Sequence, residues 1–129
     1  MTVLLDTHVW LWMLAAPEHL GVKARALIEN TATLLLSAAS SWEIAIKYGL
    51  GRLDLPEEPE RFVPDRMRSS GVDALPIEHP HALHVSALAR HHRDPFDRLL
   101  IAQSHIERVP LLTADPIFGQ YDVEVINAI

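Results

Sequence analysis

A chain of 129 residues is the size of one domain with a single core, and 49% hydrophobic against 22% charged residues is ordinary globular usage, which excludes a disordered or membrane class. Eleven Lys and Arg stand against 17 Asp and Glu, a net charge of −6 that excludes coating nucleic acid by charge alone. Cysteine is absent, which removes disulfides, thiolate nucleophiles and Cys-ligated zinc together and leaves any metal to oxygen or imidazole.

The first strand is expected at TVLLD, ending at Asp6. A helix follows through Val9, Trp10, Met13 and Leu14 until Pro17 breaks it, and LGVKARALIEN at 20–30 repeats the helical period through Leu20, Ala24, Leu27 and Ile28. TLLLS at 33–37 reads as a buried second strand. SSWEIAIKYG, from Ser40 to Gly49, reads as a helix marked at both ends: Ser40 and Glu43 have capping-box spacing, and Gly49 suits the C-terminal cap.

LGRLDLPEEP then turns away from the core, and a helix is expected over 58–70 with Phe62 and Met67 inward, Arg61, Arg66 and Arg68 outward, and Pro64 as a point of interruption. VDALPI at 72–77 is the third strand, weakened by Pro76. Helices are expected from Pro80 to Arg90 and from Pro95 to Glu107, VPLLT is the fourth strand, a helical turn begins at Pro116, and VEVI at 123–126 closes the chain.

Apolar strands separated by helices describe a three-layer α/β/α sandwich around a mainly parallel sheet, and we expect one domain over 1–129. The longest apolar run near the start, VWLWMLAA, falls far short of the roughly 20 residues of a bilayer span, and no basic segment precedes it as in a signal peptide. The expected location is the cytoplasm, with no membrane partner.

Right-handed crossovers align the C-terminal ends of parallel strands along one edge, where ligands bind in open sheets. Asp6 ends the first strand, Glu43 is expected in the first helical turn after the second, and Asp115 follows the fourth in LLTADP. Asp94 and Asp97 belong instead to a helix-to-helix junction, RDPFDRLLIAQ, which this argument does not place at the edge. Each acid taken singly has a plain explanation: Glu43 in a capping box, Asp115 and Asp94 as N-caps before a proline, Asp97 at N3. Taken together they repel one another in one cleft unless protons or a cation intervene. Hard oxygen donors without Cys, and without a helical His pair beside an acid, favour Mg²⁺ or Mn²⁺ over zinc, and such ions are usually held by one or two carboxylates plus a substrate phosphate.

LLDTHVWLW, SSWEIAIKYGLGRLDL, RDPFDRLLIAQ and LLTADPIF resemble, in this order, the signature blocks of PIN-domain ribonucleases in the VapC-like branch of toxin–antitoxin systems. The resemblance implies an acidic site of Asp6, Glu43, Asp97 and Asp115 that is both catalytic and metal-binding, a divalent cation, and cleavage of single-stranded RNA. It also implies self-association as a homodimer or hetero-oligomer, and a cognate antitoxin covering the groove. Asp97 matches the family's catalytic acid, whereas Asp94 matches no core position and reads as the cap. His8 stands where many relatives carry Asn.

Around these acids, Thr7 and Thr113 are expected to orient carboxylates or bind phosphate, and Arg93 and Arg98 to grip RNA phosphates. Lys47, four residues after Glu43, reads as half of a surface pair. Two rival readings remain open. His79, His81 and His84 in HPHALHV, with His91 and His92 beyond, permit a metal-independent, histidine-driven ribonuclease. An inert module whose acids only cap helices would instead use residual apolar surface among Trp10, Trp12, Trp42, Phe62 and Met67 to bind a partner helix.

Overall fold

The computed structural model describes residues 1–31 and 33–129. Five strands form one sheet in the order β3-β2-β1-β4-β5, every neighbouring pair parallel: β1 (Thr2–Leu5), β2 (Thr33–Ser37), β3 (Val72–Leu75), β4 (Leu111–Thr113) and β5 (Val125–Asn127). The register sets Leu4 opposite Leu35 on one side and Leu111 on the other. Among the described residues six helices cover the two faces: α1 (Thr7–Ala15), α2 (Val22–Asn30), α3 (Ala38–Gly49), α4 (Pro59–Ser70), α5 (His79–His84) and α6 (Pro95–Glu107). This is the expected three-layer sandwich.

Strand alternation divides the core. Val3 and Leu5 point to one face, where Val9, Trp10, Ala24, Phe62 and Val63 cover them, while Leu4 points to the other, beneath Leu99, Leu100, Ile101 and Phe118. Central strands buried on both sides need apolar residues at consecutive positions, which is why β1 and β4 read as unbroken apolar runs. The chain order runs β1, β2, β3 outward and then returns across β1 to β4, so the sheet reverses direction between β1 and β4. Open sheets bind ligands at such a reversal, beyond the carboxyl ends of the strands.

Four local expectations change, the first at the end of α3, where Gly49 is the last helical residue and Leu50 is the C-cap. The second strand passes into α3 three residues earlier than read, with Ser37 as N-cap accepting from Ala39 N at 2.9 Å, so Ser40 and Glu43 form no capping box and Glu43 lies in the second turn. The helix expected over 80–90 stops at His84, followed by a short 3-10 turn, Val85–Ala87. The guanidinium of Arg98 takes the carbonyls of Val85 at 3.1 Å and Ala89 at 2.8 Å, offering those groups partners outside a helix. Pro64 does not interrupt α4; Glu60, whose carbonyl it leaves without a helical partner, is exposed to water. Gly71 ends α4 in the left-handed conformation, at φ 68°, which glycine adopts without steric cost.

Candidate active site

The helix that feeds a parallel strand runs against it, so α6 begins at the edge where β1 and β4 end. That geometry brings Asp94 and Asp97 to Asp6, Glu43 and Asp115, and all five acids line one open pocket of about 320 Å³ together with Lys47, His8, Trp12 and Ala114. Four stretches of chain far apart in sequence thus contribute to a single concave surface.

Asp6 occupies the N-cap position of α1 yet makes no side-chain cap bond. Its Oδ2 instead accepts from Thr113 Oγ1 at 2.7 Å, and the residue is only 5% exposed. Burial pushes this carboxyl above its ordinary pKa; the Thr113 bond and His8 oppose the rise, and Glu43 adds to it. Thr113 also accepts from the backbone N–H of Asp115 at 3.0 Å, so one hydroxyl fixes both Asp6 and the turn carrying Asp115. Asp115 is exposed and caps the following 3-10 turn by accepting from Ile117 N.

Glu43 is buried and is met by Lys47 Nζ at 2.5 Å. The expected surface pair is therefore a wall of the pocket, and the bond to Glu43 is the main reason that the Lys47 ammonium is held above its ordinary pKa. Asp94 caps α6 as anticipated, accepting from Phe96 N at 2.9 Å and Asp97 N at 3.1 Å. Asp97, one turn inside, is pushed up to about 8, first by burial and then by repulsion from Asp94, Asp6, Glu43 and Asp115.

Among the described residues no three His, Asp or Glu side chains are arranged to hold a metal ion. Lys47 engages Glu43 and His92 engages Asp97, so the carboxylates are separate groups and not a closed cage. The donor set nevertheless fits one class of ion. All the acids supply hard oxygen, burial and then the neighbouring carboxylates oppose the ionisation of Asp97, and Mg²⁺ keeps several waters and needs only one or two direct carboxylates.

The residues expected to bind substrate have other partners. Thr7 and Thr113 are each 2% exposed; Thr7 donates to Ser40 Oγ at 2.7 Å, joining α1 to α3, and Thr113 orients Asp6, so neither hydroxyl is turned to an incoming phosphate. Arg98 is half-buried, and its guanidinium bonds Tyr121 Oη as well as the carbonyls of the 85–92 segment. Arg93 is exposed, and with Arg90, His91 and His92 it lines a depression of about 580 Å³. Among the described residues neither Arg90 nor Arg93 is ion-paired.

The histidines divide. His79 is exposed at the start of α5. His81 is 1% exposed, accepting from Glu78 N on Nδ1 and facing Glu107 through Nε2 at 2.9 Å, which locks α5 onto α6 and closes the ring to solvent. His84 pairs with His105 at 2.7 Å on the outer surface. The carboxylate beside His81 was not foreseen, but it serves packing. Sequence reasoning missed Lys47 as a wall of the acidic pocket and His92 as the partner of Asp97. The i,i+4 spacing announced the Lys47–Glu43 pair but not the burial of Glu43; for His92, five residues before Asp97, only the folded loop brings the groups together.

Comparison with known proteins gives one consistent likeness. The PIN domain family model matches residues 3–124. Ribonuclease VapC16 of Mycobacterium tuberculosis is 48% identical over 66 residues, which cover 50% of this chain and 47% of that protein, so the match spans about half the length of the relative. VapBC2 from Rickettsia felis, bound to a promoter DNA fragment, superimposes with a TM-score of 0.73 at 15% identity over 100% of both chains. DNA-bound VapBC from Salmonella typhimurium gives 0.70 at 20% identity over 98% of each chain, and FitAcB from Neisseria gonorrhoeae 0.65 at 20% over 97% and 96%. At such identities the structural likeness is one of fold.

Proposed function

Because this chain belongs to the PIN domain family, we propose that its acidic pocket is the centre of a Mg²⁺- or Mn²⁺-dependent endoribonuclease. On this reading, residues 1–129 act as one domain that cleaves single-stranded or looped RNA and serves as the toxin of a toxin–antitoxin pair. One observation carries the reading: Asp6, Glu43, Asp94, Asp97 and Asp115 line one pocket in which, among the described residues, Lys47 is the only Lys or Arg, a charge imbalance that a divalent ion would relieve.

In this mechanism Asp6, Asp97, Glu43 and Asp115 would hold the cation, directly or through water. A bound Mg²⁺ or Mn²⁺ supplies an activated water for in-line attack and charge for the leaving oxygen. The protein's part is positioning. Thr113 fixes one oxygen of Asp6, Lys47 offsets Glu43 and presents an ammonium at the pocket wall, and Asp94 sets the first turn of α6 so that Asp97 faces inward. Arg93 and Arg90 lie in the adjoining depression, where they attract the phosphates of a strand entering beside Asp97. The acidic total of −6 does not oppose this, since binding depends on the local field.

A cognate antitoxin is the proposed partner, on the strength of VapBC and FitAcB as structural neighbours. Trp42 and Ile46 on α3 and Leu50 at its C-cap are 52%, 37% and 63% exposed and offer apolar surface for a partner or a second copy. Among the described residues no helix is long and apolar enough to cross a membrane, in line with a proposed cytoplasmic location.

The test is RNA cleavage by protein freed of antitoxin, comparing wild type with Asp6→Asn in Mg²⁺ or Mn²⁺ and in chelator. Expected are cleavage by wild type with metal only, 5′-phosphate and 3′-hydroxyl ends, and an inactive variant. Equal activity of the two proteins removes Asp6 from the mechanism. Persistent cleavage in chelator with a 2′,3′-cyclic phosphate replaces it by the histidine route.

A further inference from the structure

Among the described residues, His92 is the one histidine hydrogen-bonded to a carboxylate of the acidic pocket: its Nε2 lies 3.1 Å from Asp97 Oδ2. The other ring nitrogen, Nδ1, lies 2.7 Å from Tyr121 Oη, and Arg98 Nη1 donates to that same oxygen at 3.2 Å. The direction of the chain follows from the donors. A guanidinium can only donate, so Tyr121 Oη accepts from Arg98 and its own proton is free to go to His92 Nδ1. With Nδ1 accepting, the proton of the neutral imidazole sits on Nε2 and is given to Asp97 Oδ2.

Aromatic packing holds the ring in that plane. Tyr121 stands edge-on to His92 with centroids 5.5 Å apart, and Phe118, fully buried, lies at 6.3 Å. Among the described residues no hydrogen bond is made to Asp97 Oδ1. One oxygen of the carboxylate is therefore tied and the other is open.

We propose that His92 is a positioning residue for Asp97: backed by Tyr121 and Arg98, it ties down Oδ2 and leaves Oδ1 as the oxygen presented to the cation. The proposal rests on the nuclease reading of the pocket. Arg98 is the first donor of this relay, which passes through Tyr121 and His92 and ends at Asp97. A hydrogen-bond partner behind a ligand restricts its rotation and sets its basicity, and loss of such a partner typically costs about 10–100-fold in metal affinity or activity.

Calorimetric titration of Mn²⁺ into wild type, His92→Ala, His92→Gln and Tyr121→Phe tests it, alongside steady-state RNA cleavage and ¹⁵N NMR of the His92 ring with Mg²⁺ present. Gln places its amide nitrogen the same number of bonds from Cβ as His Nε2, so it retains the donor without the ring. Expected are about 10-fold weaker Mn²⁺ binding and a kcat lower by about 10-fold in His92→Ala with KM little changed. Most of both should return in His92→Gln, with a smaller loss in Tyr121→Phe and the Nε2–H tautomer in wild type. Mn²⁺ affinity in His92→Ala within twofold of wild type overturns the proposal. So does a His92→Gln variant as defective as His92→Ala, which would make the ring's packing its only contribution. If His92→Ala does not fold, the Gln and Phe variants decide. A wild-type protein that binds Mn²⁺ but leaves RNA intact overturns the nuclease reading, while the titrations still decide the role of His92.

Discussion

Five carboxylates share a pocket in which burial and mutual repulsion raise Asp97 to about 8, so each substitution there has a direction that can be worked out. Asp97→Asn removes a carboxyl whose ionisation burial and its neighbours oppose and, on the nuclease reading, a proposed ligand of the cation. We expect the variant to lose metal-dependent cleavage by at least the 10–100-fold seen for supporting partners, while its metal-free thermal stability holds or rises. A thermal melt and a cleavage assay on the same preparation check both halves; unchanged cleavage would remove Asp97 from the ligand set. Thr113→Val keeps the volume and removes the donor to Asp6 Oδ2. Leaving that buried carboxylate short of a partner costs about 1–3 kcal/mol, measured by denaturant unfolding, and weakens Mn²⁺ binding. At this scale the gathering of the acids was legible from their types and spacing, and Thr113 orients a carboxylate as one of its two readings had it, whereas Thr7 meets Ser40: a hydroxyl beside a strand end looks the same in sequence whichever neighbour it faces.

At the scale of the element, helix starts set the site. Asp94 satisfies two N–H groups at the head of α6 and so fixes the turn on which Asp97 rides. Asp94→Ala should cost about 1 kcal/mol of stability through the lost cap, and it should reduce cleavage through Asp97 without touching the cation itself. Asp94→Ser, which retains a capping oxygen, should recover the stability; failure to do so in a denaturant titration would show that charge and not capping is at stake. The far end of the same helix carries a cost of its own, since Arg108 holds φ at 55°, a left-handed conformation that glycine adopts freely. Arg108→Gly is expected to stabilise the fold by about 1 kcal/mol, seen as a higher denaturation midpoint with cleavage unaltered. The start of α3 shows the limit of local signals. Two serines precede the apolar period, and the capping box pointed to Ser40, but Ser37 caps and Ser40 receives Thr7 instead.

For the molecule as a whole, the acidic pocket links folding to pH and to metal. Between about 4 and about 8 the folded chain keeps a proton on Asp97 that the unfolded chain has released, so the site's contribution to stability falls as pH rises through that window. Above the folded value both states have lost the proton and the slope vanishes. A cation that prefers ionised Asp97 restores stability by mass action, and more at pH 8 than at pH 6. Thermal melts from pH 5 to pH 9, with and without Mg²⁺, should therefore show wild type losing stability toward alkaline pH relative to Asp97→Asn, with Mg²⁺ closing the gap. Parallel curves for the two proteins would mean that the pocket is not strained by charge.

The sequence alone determined the alternation of strand and helix, the parallel sheet and three of the four core acids at one edge, since unbroken apolar strands, helical periods and right-handed crossovers are local or topological facts. It also contained, unread, the position of Asp97: a helix that leads into a parallel strand must begin at that strand's far edge, so topology alone sufficed. What only the tertiary structure decided are the place of the Lys47–Glu43 pair in the pocket wall and the pairings of Thr113 with Asp6 and of His92, backed by Tyr121 and Arg98, with Asp97. The reason is physical. A side chain's hydrogen-bond partner depends on which groups packing brings within about 3 Å, and residues separated by 107 positions, as Thr113 and Asp6 are, share no local pattern that could announce their meeting.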